Sequence, residues 1–456
     1  MTDARDREIL RLAVPAFLAL VAEPLFLLAD AAIVGHLGTA PLAGLGVAAV
    51  VLQTAIGLCI FLAYGTTASV ARRLGGGDLR GAVAQGVDGI WLAVGIGVVL
   101  TVAGVLLAAP LVELFGASPA VTEPAVTYLR IAFLGSVPLL VMLAATGVLR
   151  GLQDTRTPLA VAVAGNALNV VLNLVLVYPA GLGIAGSALG SVIAQVASAA
   201  AFLVVVGRAA RRHGAPLRPD LPGIRAAGRA GVPLVVRTLT LRAALLVTTY
   251  AVTLGATGAR EQEVDLATHQ LAMTLWTFLA FVLDAIAIAA QALTGRSLGA
   301  GDVAGTRATT RRMVWWGALS GVVTGLLLAA TSPLLGPLFT SDPDVQELLV
   351  PVLLVAAVGQ PVAGVVFVLD GVLIGAGDGR YLARAGLVTL VAYVPVALGC
   401  AAVSAGLVAV WVSFCAVFMG ARFVVLVHRA RGDAWLVTGL GDRPGGEPRD
   451  ERRVAS

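Results

Sequence analysis

The most constraining feature of this sequence is an internal repeat with a constant offset of 224 residues. The segment LGGGD at 74–78 returns as LGAGD at 298–302, and GLQDTR at 151–156 returns as GAGDGR at 375–380. Chance similarity between apolar segments would not place glycine, aspartate and arginine at the same offset twice. The chain is therefore two copies of one unit, and we expect a fold built from two similar halves.

The composition indicates that both halves lie in a membrane. Hydrophobic residues make up 58% of the chain, charged residues 12%, and the mean hydropathy is +0.93. Apolar runs of about twenty residues, enough to cross about 30 Å of hydrocarbon, follow one another along the sequence. Twelve runs can be counted, six in each copy: 9–37, 42–71, 83–108, 124–150, 157–180, 183–207, 228–255, 264–295, 309–331, 347–375, 380–403 and 406–430.

The distribution of arginine predicts the topology. All 31 basic residues are arginine, and most lie in the two tails or in the loops after even-numbered runs, as Arg72, Arg211 and Arg311 do. The opposite loops carry acids such as Glu123 and Asp342. The positive-inside rule then places both termini in the cytoplasm of a multi-pass protein of the inner (plasma) membrane. The net charge of +5 is explained by this asymmetry and does not indicate a nucleic-acid partner.

These patterns predict an all-α polytopic membrane protein with twelve transmembrane helices in two pseudo-symmetric six-helix lobes. Six spans per copy mean that both copies enter the membrane from the same side, so the repeat is parallel. The predicted units are a first lobe at 1–207, a cytoplasmic linker at 208–228, a second lobe at 229–430 and a disordered cytoplasmic tail at 431–456. Such a repeat in a membrane chain is typical of a transporter whose substrate site lies between the halves.

Enzyme chemistry has no support in the sequence. Cys59, Cys400 and Cys415 lie singly in apolar runs, without disulfide or metal-ligand spacing. The glycine-rich loops lack the Lys-Ser/Thr of a phosphate-binding loop, so we interpret them as tight turns in which glycine adopts positive φ. We expect no metal and no cofactor. The residues assigned to structural turns are Gly77, Asp78, Asp154, Gly301, Asp302 and Asp378.

Several motifs together resemble a known transporter family. They are the two Gly-x-Gly-Asp turns, Pro15, EPL at 23–25, DAAIVGHLG at 30–38, NVVLN at 169–173, GIAGSA at 183–188 and DGVLIG at 370–375. Their order over nearly the whole chain resembles the MATE (multidrug and toxic compound extrusion) family, and its DinF-like branch in particular. The resemblance implies alternating access of two six-helix lobes and export of organic compounds against an inward flow of protons or sodium ions.

Five acids fall inside the predicted spans, namely Glu23, Asp30, Asp88, Asp284 and Asp370. An ionised carboxylate at the bilayer centre costs at least ~2.5–3.5 kcal/mol on insertion scales, so each acid needs a partner, a cavity or a proton. Asp88 lies near enough to the membrane surface to reach the interface. Asp370, five residues before the turn at 375, is expected to cap or brace that turn, with a functional role as the alternative.

Asp30 is the strongest candidate for a protonation or ion site. Asn166, Asn169 and Asn173 share one face of the fifth span, and Ser191 of the sixth span lies at a similar depth to Asp30. In the family resemblance Asp30 matches the first-span aspartate assigned to cation coupling, Asn169 and Asn173 match its fifth-span partners, and Ser191 matches a sixth-span hydroxyl. Asparagine at 173 removes a charge that some relatives carry, which favours protons over sodium as the coupling ion.

The predicted substrate cavity contains polar residues from both lobes. Glu23 lies two turns before Asp30 and precedes Pro24, which can kink the helix. Arg242 is the cation expected in the cleft, either as a neutralising partner of Asp284 or as a contact for an anionic group. Gln270 and Gln291 complete the predicted cavity.

The leading interpretation is a monomeric, proton-coupled secondary active exporter of small organic molecules. Two alternatives with the same architecture are an organic-anion exporter and a flippase for lipid-linked intermediates, which usually has a more cationic cleft. An integral-membrane transferase would need carboxylate motifs in an interfacial loop, and a channel would need a short re-entrant filter loop. The sequence shows neither.

Overall fold

The computed structural model describes residues 4–439, and these residues form helices and connecting turns without a strand. The first lobe consists of α1 (Ala4–Gly35), α2 (Thr39–Leu58), α3 (Phe61–Gly75), α4 (Leu79–Glu113), α5 (Pro119–Leu134), α6 (Ser136–Gly151), α7 (Arg156–Val177) and α8 (Gly183–Arg212). The second lobe consists of α9 (Leu221–Gly255), α10 (Ala259–Gly299), α11 (Val303–Phe339), α12 (Pro343–Gly375), α13 (Gly379–Ala402), α14 (Gly406–Ser413), a π-helical turn (Phe414–Met419) and α15 (Gly420–Arg431).

These helices make twelve passes across the bundle. Eleven helical stretches in the described part of the chain are long and apolar enough to cross a membrane, and the pair α5 and α6, bent by 51°, makes the twelfth. Successive passes run in opposite directions. The turns at 74–79, 151–156, 299–303 and 375–379 therefore lie at one end of the bundle, together with the start of α1 and the end of α15. We call this the arginine-rich end.

The repeated turns have the same geometry in both lobes. Gly77 and Gly301 each adopt a φ of 76°, which favours glycine. The following aspartates cap the next helix: Asp78 accepts a hydrogen bond from the Gly81 amide at 2.8 Å, and Asp302 accepts one from the Gly305 amide at 2.7 Å. An N-cap of this kind satisfies a free amide of the first helical turn, which explains why the Gly-Asp pair recurs.

The second pair of turns uses the same residue types. Asp154 accepts hydrogen bonds at 3.0 Å from the amides of Arg156 and Thr157 at the start of α7. At the corresponding position, Asp378 instead accepts a 2.7 Å hydrogen bond from Arg429 of α15. The two turns therefore use an equivalent aspartate for different contacts.

Both predicted boundaries around the second lobe need correction. α8 continues to Arg212 and α9 begins at Leu221, so the non-helical linker is 213–220 and not 208–228. The predicted disordered tail is wrong for residues 432–439, which pack against the arginine-rich end, whereas 440–456 lie outside the described residues. Trp435 is 2% exposed. The Val437 carbonyl accepts a hydrogen bond from Arg72, and the Gly439 amide donates one to the Leu298 carbonyl.

The lobes meet in a symmetric crossing of α3 and α10 at the arginine-rich end. A Cβ on Gly75 would overlap the carbonyl of Arg296, and a Cβ on Gly299 would overlap the carbonyl of Arg72. The two contacts are exchanged by the 224-residue offset, so the crossing lies on the pseudo-two-fold axis. Only glycine allows backbones to approach this closely.

Ion pairs strengthen the contact between the lobes at the same end. Arg312 of α11 donates to Asp6 of α1 at 2.6 and 2.7 Å, and Arg296 of α10 donates to Glu8 of α1 at 2.6 Å. The bundle is therefore closed at the arginine-rich end in this conformation. Any cavity between the lobes is separated from this end by the helix crossing.

Candidate functional site

A buried polar cluster surrounds Asp30 in the first lobe, in the half of the bundle opposite the arginine-rich end. Asp30 on α1 is 3% exposed. Its Oδ1 accepts hydrogen bonds from Asn173 Nδ2 at 2.8 Å and from Ser187 Oγ at 2.5 Å. Its Oδ2 accepts a longer one, 3.4 Å, from the hydroxyl of Tyr128. Three neutral donors from α5, α7 and α8 therefore converge on one carboxylate.

The asparagine face of α7 positions this cluster. Asn166 donates to the Ala22 carbonyl at 3.1 Å, which joins α7 to α1. One turn further on, Asn169 donates to Ser191 Oγ at 2.9 Å, and Asn173 reaches Asp30 a further turn along. The spacing i, i+3, i+7 puts all three amides on the same side of the helix. The structure thus brings together the four residues that the sequence assigned to coupling, namely Asp30, Asn169, Asn173 and Ser191.

The cluster contains no positive charge at contact distance. Among the described residues, no arginine or histidine nitrogen lies within 4.0 Å of the Asp30 carboxylate. The side-chain oxygens of Asn169 and Asn173 are buried and have no hydrogen-bond partner in the part of the chain that the structure describes. A buried carboxylate with neutral donors only has its charge stabilised less than one in an ion pair.

Sequence reasoning missed two members of the cluster, Tyr128 and Ser187. Both are buried, with 7% and 0% exposure. Ser187 lies within the GIAGSA motif, four residues before Ser191, so helical periodicity places the two hydroxyls on one face. Tyr128 lies on α5, and no local pattern in the sequence connects it to Asp30.

The corresponding position in the second lobe is neutral. Counted from Pro15 and its counterpart Pro233, Asp30 corresponds to Thr248, and the 224-residue offset maps Asn169 onto Tyr393. The hydroxyls of Thr248 and Tyr393 are 2.7 Å apart and both side chains are buried. The first and fifth spans of the second lobe therefore meet through two hydroxyls, at a position one helical turn from the contact that Asp30 makes with Asn173 in the first lobe.

A second charged cluster lies between α9, α12 and α15, nearer the arginine-rich end. Asp370 forms ion pairs with Arg237 and, at 3.4 Å, with Arg422. The guanidinium carbon of Arg237 lies 5.9 Å from the centre of the Tyr64 ring of α3, in the first lobe. Asp370 therefore joins three helices of the second lobe. Its position in the sequence suggested only that it would brace the turn at 375.

The predicted pair of Arg242 and Asp284 is not formed. No ion pair within 4.0 Å joins the two side chains in the described part of the chain. Arg242 is exposed and lies against Gly57 of α2, where a Cβ would be 3.0 Å from its guanidinium nitrogen. Asp284 is partly buried and lies in the field of Arg237, Arg150 and Arg422. Of the two alternatives for Arg242, the pair with Asp284 is wrong, because depth in the membrane does not determine how each helix is rotated. The other alternative, a contact for an anionic group in the cleft, stays a prediction.

The remaining predicted cavity residues occupy different environments. Glu23 and Gln270 are exposed, and Glu23 has no ion-pair partner in residues 4–439. Gln291 is 3% exposed, and its backbone packs against Gly375 where α10 crosses α12. Gln291 is therefore buried where α10 crosses α12, one residue from the Ala292 carbonyl that accepts a hydrogen bond from Gln153 of the first lobe, and its assignment to the substrate cavity stays a prediction.

Comparison with known proteins is consistent with this architecture. A family model, MatE, matches residues 15–175 and 240–398, which is more than half of the chain. The chain belongs to the MATE family. The gap between the two matched segments contains the linker, so each segment falls in one lobe.

Two relatives of this MATE protein align over most of their length. Protein DETOXIFICATION 44, chloroplastic, of Arabidopsis thaliana is 31% identical over 454 residues, which cover 96% of this chain and 82% of the relative. DNA damage-inducible protein F of Escherichia coli strain K12 is 32% identical over 386 residues and 81% of each chain. The second relative confirms the predicted DinF-like branch.

Solved structures support the fold of this MATE protein. A MOP superfamily transporter from Pyrococcus furiosus has a TM-score of 0.84 at 22% identity, with 94% of this chain and 95% of that chain covered. The Vibrio cholerae MATE transporter VcmN in the bent form has a TM-score of 0.83 at 20% identity, with coverages of 93% and 97%. The predicted all-α, MATE-like membrane fold is confirmed, and the chain is a multi-pass membrane transporter.

Proposed function

We propose that this transporter exports organic compounds in exchange for protons, by alternating access of its two lobes. The observation that carries the proposal is the environment of Asp30, a buried carboxylate held by Asn173, Ser187 and Tyr128 and, among residues 4–439, by no cation. Asp370 provides the contrast, because two guanidinium groups stabilise its ionised form. Of these two intramembrane acids, Asp30 is the one that a proton can neutralise without leaving a cation unpaired.

The conformation supports the proposed cycle. The lobes contact each other through the glycine crossing at the arginine-rich end, whereas Asp30 lies in the opposite half of the bundle. A proton arriving from that opposite side would remove the charge of Asp30 and weaken its hold on the amide of Asn173. α1 would then repack about Pro24, and proton and substrate would compete because each favours a different state.

The alternative coupling ion is sodium, and one observation favours it. The buried Oδ1 atoms of Asn169 and Asn173 have no donor, and a sodium ion could use both of them together with Asp30. The neutral residue at 173 counts against this alternative, because only one carboxylate is then present to compensate the charge of the ion.

Transport by the purified protein in vesicles tests the proposal. The probes are ethidium, 7-methoxycoumarin-4-acetic acid and 7-methoxycoumarin-4-acetamide, which represent cationic, anionic and neutral compounds. We expect a pH gradient to drive movement of at least one probe in the wild type, and Asp30→Asn, a neutral mimic of similar size, to abolish it. Glu23→Gln should reduce transport less or change which probe is moved.

A sodium gradient at uniform pH separates the two coupling ions. Transport driven by sodium alone would replace the proton in the mechanism. Wild-type rates from Asp30→Asn, or movement of none of the three probes, would contradict the proposed function. A lipid flippase would instead move a lipid-linked sugar between leaflets and none of the soluble probes.

We also propose that the arginine-rich end faces the cytoplasm and that the protein lies in the plasma membrane. The positive-inside rule supports this orientation. With Cys59, Cys400 and Cys415 replaced, a single cysteine at position 211 should react with an impermeant thiol reagent only after cell lysis. A cysteine at position 123 should react in intact cells. Labelling of position 211 from outside would reverse the orientation.

A further inference from the structure

The charged cluster around Asp370 contains more positive than negative charge. Arg237 and Arg422 both pair with Asp370, and the charges of Arg237, Arg422 and Arg150 act on Asp284. Two guanidinium groups thus contact one carboxylate, whereas within residues 4–439 Arg150 and Asp284 act on the cluster from beyond ion-pair distance. Because arginine stays protonated in proteins, the cluster has a net charge of at least one positive unit.

Hydrogen-bond donors are also in excess. Each guanidinium group has five N–H donors, and two of these groups share the one carboxylate of Asp370. The Nε atom of Arg237 is buried and has no hydrogen-bond partner within residues 4–439. The side chains of Arg237, Arg422 and Asp370 are 14%, 11% and 6% exposed, so water satisfies few of the remaining donors. An additional acceptor with a negative charge would complete the cluster.

A small cavity adjoins these charges. It is lined by Arg237, Asp370 and Arg422 on its polar side and by Leu382, Gly386 and Leu426 among its apolar residues. In this conformation the cavity has room for about one water molecule, so a larger ligand needs the surrounding helices to move apart. A charged wall facing an apolar wall would then suit a molecule that carries an acidic group on a hydrophobic body. The other arginine–carboxylate contacts of this end are different: Arg429 pairs one to one with Asp378 outside this cavity.

The position of the cluster matches a loading site for the transport cycle. Tyr64 of the first lobe covers Arg237, and the crossing of Gly75 and Gly299 closes the arginine-rich end nearby. Separation of the lobes at that end would uncover the guanidinium groups. They would then face the side from which an exporter takes up its substrate.

We propose that Arg237 and Arg422 bind the anionic group of the transported compound, a carboxylate or sulfonate on an apolar skeleton. This assignment rests on the proposed export function and specifies its substrate class. Asp370 holds the two guanidinium groups in place, and Asp284 limits the net positive charge when no substrate is bound. The anionic group forms charge-assisted hydrogen bonds with donors that are otherwise unfilled.

Equilibrium binding to the full-length protein in lipid nanodiscs tests the assignment without a proton gradient. The probes are 7-methoxycoumarin-4-acetic acid and its amide, which share one ring system and differ in charge. We expect the acid to bind about tenfold more tightly than the amide, the size of one charge-assisted hydrogen bond. Arg422→Gln should reduce this ratio to near one and leave amide binding unchanged.

Three further variants control for structural effects. Arg422→Lys keeps the charge and should retain most of the ratio, and Asp284→Asn removes a negative charge and should increase it. Arg429→Gln changes the matched arginine two turns away on α15 and should leave the ratio at the wild-type value. Melting temperatures identify any variant that does not fold. In that case the ratio of acid to amide binding in the wild type and in Asp284→Asn still tests the assignment.

The outcomes separate this assignment from the coupling mechanism. Asp30→Asn should lose proton-driven transport and yet retain the preference for the acid. Acid binding no tighter than amide binding in the wild type, which includes no binding of either, would overturn the assignment. An equal loss of binding affinity for the acid and the amide in Arg422→Gln would also overturn the assignment.

Discussion

Replacing Gly75 by alanine should open the arginine-rich end of the transporter. A Cβ on Gly75 would lie 2.7 Å from the carbonyl carbon of Arg296 and nearer still to its oxygen. Ordinary contact begins at 3.4 Å, so the methyl group penetrates the opposite backbone by about 0.7 Å or more. A backbone atom cannot rotate away as a side chain can, and the clash is relieved only if α3 and α10 separate.

The expected shift follows from this overlap. Overpacking of this kind costs about 1–3 kcal/mol. If separation of the lobes relieves the clash, the ratio of closed to open molecules should fall by about 5- to 150-fold. Gly65 provides the matched control, because it lies on the same helix and a Cβ there would meet nothing within 4 Å. Both variants gain the helix propensity of alanine, roughly 0.5–1 kcal/mol, so their difference reports the clash.

Electron–electron double resonance measures this shift directly. Spin labels on cysteines at Arg80 and Ala304, exposed positions related by the 224-residue offset, report the distance between α4 and α11 at the arginine-rich end. We expect a longer distance to gain population in Gly75→Ala and more so when Gly299→Ala is added, whereas Gly65→Ala keeps the wild-type distribution. An unchanged distribution in both clash variants would show that the closed state absorbs the methyl groups, and the reasoning would be refuted.

Three further predictions concern other parts of the molecule. Trp435→Ala should destabilise the protein by about 3 kcal/mol or more, as expected for a buried aromatic side chain, whereas a mobile tail would give no change in thermal melting. Tyr393→Phe removes a hydroxyl from the neutral counterpart of the Asp30 site, and the variant should retain most proton-driven transport in vesicles. A loss of transport as complete as in Asp30→Asn would instead indicate a coupling role in the second lobe. A hydrogen bond from Arg260 holds the pKa of Asp342, in the loop before α12, below its ordinary value of 3.8. This pair therefore stabilises the fold above that pH, and the stabilisation is lost as the pH falls through the lowered value. Arg260→Gln should therefore lower the melting temperature at neutral pH by an amount that shrinks in acid, and a difference that does not change with pH would contradict this account.

The sequence alone was sufficient for features that depend on local spacing. Runs of about twenty apolar residues determine the passes, because the bilayer has a fixed thickness. Gly-Asp pairs determine the turns, because positive φ and N-capping involve neighbouring residues. The asparagine face toward Asp30 also follows from helical periodicity, which is why four members of that cluster could be predicted.

Only the tertiary structure decided which distant side chains meet. Tyr128 reaches Asp30, and Arg237 and Arg422 rather than Arg242 surround the second cluster, although all three arginines lie in apolar runs. The packing of Trp435 likewise depends on a surface assembled from several helices. The physical reason is that helices in a membrane are apolar on the lipid side as well as in the protein interior, so hydrophobic periodicity does not reveal how each helix is rotated. Rotation is determined by close glycine contacts and by charges that must find a partner, and these exist only once the helices are assembled.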